Sequence, residues 1–292
     1  MKTEELLNGY LRNDWKPEPL SWELLLELLE SWAAHQDNRI NHRLLKDLIL
    51  KYSMAGRRLA ALNQQKNKFL GIAAHDLRNP LISIRGFSEL LLTEDPGPLT
   101  AEQKEFVTII HDVSEGMLNL VNNLLDIAVI ESGKLYLQIH PGSLRDLLEA
   151  RIKVYKRTAE KKSITLHFTS TEVPEAHFDP QRISQVIDNL VSNAIKFSPP
   201  GSDVHVKQSQ DGDHLKVLVM DEGPGISSED KEKLFHAFQK LSPRPTGGEQ
   251  SVGLGLAIVK KIVDAHQGSL EVKSIIGVGS TFSFKIPIGG PK

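Results

Sequence analysis

The chain has 292 residues, 40% hydrophobic and 25% charged, a balance that fits a globular protein of about two domains. A net charge of −2 with pI near 6.6 argues against a polyanion-binding surface, so nucleic acid is not an expected partner. The absence of cysteine removes disulfides, thiol nucleophiles and cysteine-based zinc sites, and no run approaches the ~18 apolar residues of a membrane span. The opening residues lack the charged and apolar regions of a signal peptide, so a cytoplasmic location is expected.

Residues 1–57 read as a helical extension, with Ser21 as an N-cap after Pro19. Trp22, Leu25, Leu26, Leu29 and Trp32 form an apolar stripe, opposite a face carrying Glu23, Glu27 and Glu30. That acidic face is unsuited to anionic lipid. The stripe is expected to pack on its own neighbours or a second subunit, or to dock a sensory partner.

Residues 58–138 read as a helical hairpin. A helix over about 58–92 repeats Leu62, Phe69, Ala73, Leu77, Leu81, Ile84, Phe87 and Leu91. A turn cluster at 93–100 leads into a second helix over about 101–131, carrying Phe106, Ile109, Val113, Met117, Leu120, Leu124 and Ile127. One hairpin cannot cover its own apolar stripe, whereas two can form a four-helix bundle, so a homodimer is expected.

Residues 139–292 turn to mixed α/β, expected as a sheet with helices on one face. A helix opens with Asp179 as N-cap and Pro180 at its first position. Ile183, Val186, Ile187, Leu190 and Ala194 form its core stripe. Asn189, Asn193 and Lys196 share another face, where amides and an ammonium suit Mg²⁺ and phosphates. The strand ending at Asp221 runs into a loop holding Gly223, Gly225 and Ile226. A carboxylate only accepts hydrogen bonds, so Asp221 can pair with the amine of adenine and would reject the carbonyl of guanine. Gly253, Leu254, Gly255 and Leu256 open a helix whose free N–H groups suit a phosphate. Each motif alone is weak, but the ordered set points to ATP.

His75 is one of 11 histidines, singled out by its neighbours Asp76, Asn79 and Pro80. It lies roughly 100° from the Phe69–Ala73–Leu77 stripe, so its ring should face solvent. An imidazole is largely neutral and nucleophilic at cytoplasmic pH, and Asp76 can take the proton as charge builds. Pro80 removes a helical hydrogen bond to the Asp76 carbonyl, so a kink is expected beneath the nucleophile.

From about residue 60 to 288 the sequence resembles the sensor histidine kinases of two-component systems. His75 through Pro80 is similar to their H-box, Asn189 to Asn193 to the N-box, and Asp221 to Gly225 to the adenine-binding glycine box. Phe238 and Lys240 fall in a segment similar to the phenylalanine box, and Gly253 to Leu256 and Gly277 to Thr281 match later glycine motifs. The resemblance implies a dimerisation and phosphotransfer domain at 58–138 and an ATP-binding α/β sandwich at 139–292. It further implies ATP and Mg²⁺ as cofactors, Asn193 as a metal ligand, and Lys196, Phe238, Lys240 and Thr281 as ATP contacts. Asp76 would be the base and Asn79 would orient water in dephosphorylating a partner. Ser251 and Val252 replace a usual Gly-Thr, Lys240 stands for a frequent arginine, and His236 for an acidic residue. No receiver sequence follows, so transfer to an aspartate on a separate response regulator is expected. The competing readings are a plain Bergerat-type ATPase, against which the His-bearing hairpin counts, and a non-catalytic scaffold, which would be expected to lose His75, Asn193 or Asp221.

Overall fold

The computed structural model describes residues 39–93, 97–131, 135–237, 239, 242–246 and 253–291. The Ser21 cap and the tryptophan stripe lie outside these residues, as do Phe238 and Lys240. Contacts divide the chain into two compact units, residues 1–65 and 66–292.

Helix α1 (Arg39–Leu92) starts well before the expected residue 58, because no proline interrupts the chain between its start and Pro80. Helix α2 (Ala101–Glu131) begins where the turn cluster predicts. Its start is a reciprocal capping box: Gln103 N donates to Thr100 Oγ1 at 3.2 Å, and Thr100 N to Gln103 Oε1 at 2.9 Å. Ala74 and Leu81 of α1 meet Leu118, Val121 and Leu125 of α2 in the hairpin seam, where Arg78 Nη2 also donates to Asn122 Oδ1 at 2.7 Å.

This seam uses only part of the expected stripe. Leu81 is buried, but Phe69, Leu77 and Phe87 remain 70%, 53% and 69% exposed, and Phe106, Ile109 and Val113 on α2 are exposed as well. The expectation for Leu120 and Leu124 needs correcting. They pack against the α/β core rather than within the hairpin, because the C-terminal part of α2 lies against that core.

The α/β part consists of β1 (His140–Gly142), α3 (Leu144–Lys161), β2 (Thr165–Ser170), β3 (Ala176–Phe178), α4 (Pro180–Phe197), β4 (Asp203–Asp211), β5 (His214–Asp221), α5 (Ser228–Lys233), α6 (Gly255–Ala265), β6 (Ser269–Ile275) and β7 (Gly279–Pro287). A five-stranded sheet runs in the order β2-β4-β5-β7-β6, parallel only between β2 and β4, while β1 and β3 form a small antiparallel pair. Val204, Val206, Leu215, Val217, Phe284 and Ile286 turn one face inward against the buried Ile183, Val186, Ile187 and Leu190 of α4. Burying such side chains stabilises by about 1.5–3 kcal/mol each before entropy is charged. Arg151 on α3 grips Asp188 on α4 through two hydrogen bonds of 2.7 and 2.8 Å, fixing the helix layer.

Asp179 caps α4 as expected, accepting from Arg182 N at 3.0 Å, and also accepts from Gln138 N at 2.8 Å. Its own N–H donates to Nε2 of the buried His266 at 3.1 Å, so the ring proton sits on Nδ1, 2.8 Å from the Ile262 carbonyl. Burial holds His266 below its ordinary value of 6.5. Below that value the unfolded chain binds the proton more readily than the folded one. Stability is therefore full above about pH 6.5 and is lost as pH falls through the window beneath it. Thermal unfolding across that window should show this loss, and His266→Gln should flatten the slope.

Candidate active site

His75 and Asp76 sit on the exposed side of α1, their side chains 68% and 72% accessible. The ring Nδ1 lies 3.4 Å from Asp76 Oδ1, which turns Nε2 away from the carboxylate toward solvent. Asn79 and Pro80 are exposed on the following turn of the same helix. A nucleophile needs an open approach, and this ring has one.

Asp126 on α2 accepts from Arg182 Nη1 at 2.7 Å and from Gln185 Nε2 at 2.6 Å, both on the first turns of α4. Antiparallel pairing sets Arg78 against Asn122, so Asp126 lies near the level of His75 along the hairpin. Asn193 is two turns further along α4.

Asn193 lines a cleft together with Asp221, Gly225, Ile226 and Leu256, five of the residues expected to bind nucleotide. The cleft also takes in Phe197, Pro224, Leu234, Pro243, Ser280 and Phe282. At its end Asp221 Oδ1 accepts from Gly223 N at 2.9 Å and Ser280 N at 3.1 Å. Both donors spend themselves on one oxygen, which leaves Oδ2 to meet a ligand. Burial pushes the Asp221 carboxyl above its ordinary range, and the two N–H groups partly offset this.

Two glycines have reasons internal to the protein. Gly225 has φ +75° and sits against the Ile275 carbonyl, so a Cβ there would strike backbone of the β6–β7 hairpin. A Cβ on Gly255 would overlap Asn189 Oδ1, so this glycine lets α6 start directly against the amide of α4. Helix α6 has no side-chain cap at its N-terminus; Leu254, in the cap position, is buried and belongs to the core. Its first N–H groups are thus available to an anion.

Residues 65–133 match the family described as His Kinase A (phospho-acceptor) domain, and residues 178–290 match the histidine kinase-, DNA gyrase B- and HSP90-like ATPases. The circadian input-output histidine kinase CikA of Synechococcus elongatus is 36% identical over 262 residues, covering 89% of this chain and 34% of that protein. The chain belongs to the sensor histidine kinases of two-component systems. Among solved structures, full-length ShkA in complex with AMPPNP has a TM-score of 0.63 at 29% identity, over 76% of this chain and 46% of that chain. The kinase ThkA in complex with the response regulator protein TrrA has a TM-score of 0.53 at 25% identity, over 82% of this chain and 66% of that one. The chain spans about a third of the length of the curated relatives it matches first.

Within this kinase fold, the remaining expected residues divide. Asn189 does not line the cleft; its Nδ2 donates back to the Gln185 carbonyl at 2.9 Å, and its oxygen faces Gly255. Lys196 is likewise not among the lining residues, and its carbonyl accepts from Lys162 Nζ at 2.8 Å. Thr281 does not line the cleft, whereas its neighbours Ser280 and Phe282 do, and the backbone N–H of Ser280 donates to Asp221 Oδ1. Phe197 carried a readable signal, standing four residues after Asn193 on one helical face. Leu234 and Pro243 lie in a segment without periodicity. Among the described residues, no helix is long and apolar enough to cross a membrane.

Proposed function

We propose that this chain is the catalytic part of an ATP-dependent protein-histidine kinase. Its His75 takes the γ-phosphoryl group of ATP and passes it to an aspartate on a response-regulator receiver domain. The observation that carries the reading is the open Nε2 of His75 beside Asp76, in the same chain as a cleft ending in the Asp221 carboxylate.

Adenine stacks in the apolar cleft with its amine on Asp221 Oδ2, and the phosphates run toward the N-terminus of α6. Nε2 attacks the γ-phosphorus, the N–P bond forms as the bond to the β-phosphate oxygen breaks, and ADP leaves. The Nδ1 proton is drawn to Asp76 as positive charge builds on the ring. Positioning and electrostatics supply most of the acceleration in such transfers. Asn193 fits a hard cation, since it offers a neutral oxygen ligand in the cleft, and Asn189 stands one turn earlier on α4. Mg²⁺ held there supplies charge neutralisation on the phosphates. Phe238, Lys240 and Lys196 are assigned to the phosphate side by family resemblance, and Asn79 to positioning water for dephosphorylating the regulator. The domain limits 1–57, 58–138 and 139–292 belong to the same proposal, as does docking of a sensory protein on the first of these segments.

The exposed apolar rows of α1 and α2 support a homodimer, because a hairpin left this way shows far more contiguous apolar surface than a monomer tolerates. ThkA, which has been solved with its response regulator, supports a receiver domain as the partner. The need for ATP supports a cytoplasmic location.

Incubation with γ-labelled ATP and Mg²⁺ tests the proposal. Acid-labile, alkali-stable label on the wild-type chain and none on His75→Gln is the expected result. ATP hydrolysis without protein label would identify a plain ATPase instead.

A further inference from the structure

We propose that the outer face of the sheet carries a binding site for a divalent transition-metal ion, formed by His167 on β2 and by Asp203 and His205 on β4. It is separate from the nucleotide cleft and does not depend on the kinase reading.

The register creates the cluster. Parallel pairing sets His167 directly beside His205, and Thr165 beside Asp203. Alternation then sends all three side chains to the face opposite the buried Val204 and Val206. His167 Nε2 lies 3.0 Å from Asp203 Oδ1, and the two imidazole rings stack at 4.6 Å with only 14° between their planes. One ligand atom from each residue falls within 4.8 Å of the others. Ligands around a tetrahedral ion with bonds of about 2.0–2.1 Å are roughly 3.3 Å apart, so a bound ion would draw the ligand atoms together, the two rings turning out of their stack to aim their nitrogens at it.

The donor set decides the class of ion. Two imidazoles and one carboxylate suit Zn²⁺ and its neighbours in the first transition row, and not Mg²⁺ or Ca²⁺, which take oxygen ligands. His167 and Asp203 are 43% and 47% accessible, leaving a path in and room for water as a further ligand. The Glu222 carboxylate accepts from Asp203 N at 3.1 Å, fixing that residue and adding negative charge nearby. A bound ion would tie the edge strand β2 to β4.

Titration of the full chain, stripped of metal and free of nucleotide, with Zn²⁺ in a calorimeter tests this. One Zn²⁺ per chain from this cluster is expected, with affinity reduced at least about tenfold by either His167→Ala or His205→Ala. His111→Ala serves as the control, because His111, Asp112 and Glu115 form the other such cluster among the described residues. In the unsubstituted protein Zn²⁺ should shift the imidazole NMR signals of His167 and His205, a readout independent of how any variant folds. Retained affinity in both variants, loss that follows His111→Ala, imidazole signals that stay in place, or no saturable binding would each overturn the site.

Discussion

Asp221→Asn is expected to lower ATP affinity by about 100-fold or more while leaving the fold intact. Asp221 Oδ1 holds two backbone donors, Gly223 N and Ser280 N. An asparagine keeps both by placing its carbonyl oxygen there, so the loop remains in place. Its amide nitrogen then occupies the position of Oδ2 and faces the adenine amine, donor against donor. An unpaired polar group in a buried site costs its full desolvation. Calorimetric titration with a non-hydrolysable ATP analogue measures the loss, and an unchanged melting temperature without nucleotide shows that the loop survives.

Asn193→Ala carries the second large effect, on turnover more than on binding. The adenine contacts stay, so nucleotide affinity should change less than with Asp221→Asn. The loss of a neutral oxygen where the cation is proposed to sit should reduce the rate of phosphorylation by about 100-fold or more. The two variants thus separate by a split between affinity and rate. Equal loss of affinity in both would place Asn193 with the base and not with the phosphates.

Most of this arrangement could be read in advance, for identifiable reasons. Helix α2 was legible because the turn cluster and the Thr100 box mark its start, and α4 because Asp179 and Pro180 mark its own. Strand β5 was legible as the strand ending at Asp221. Helix α3 carried Leu144, Leu148 and Ile152 at helical spacing behind the cap Ser143, a signal as strong as that of α4. The roles of Leu120 and Leu124 were not legible, since an apolar side chain at helical spacing looks the same whether it meets its own hairpin or another domain. The grip of Arg182 and Gln185 on Asp126 was equally hidden, because it joins residues more than 50 positions apart. Gly225 and Gly255 stood out in the sequence for approach to a ligand, whereas their surroundings show protein atoms making the same demand.

The most direct measurement is to locate the phosphoryl group by ³¹P and ¹⁵N NMR, after incubation of the intact protein with Mg²⁺ and ATP. One phosphoramidate, bonded to Nε2 of His75, is the predicted result. A phosphoester, or phosphoramidate on any other histidine with His75 unmodified, would contradict the account.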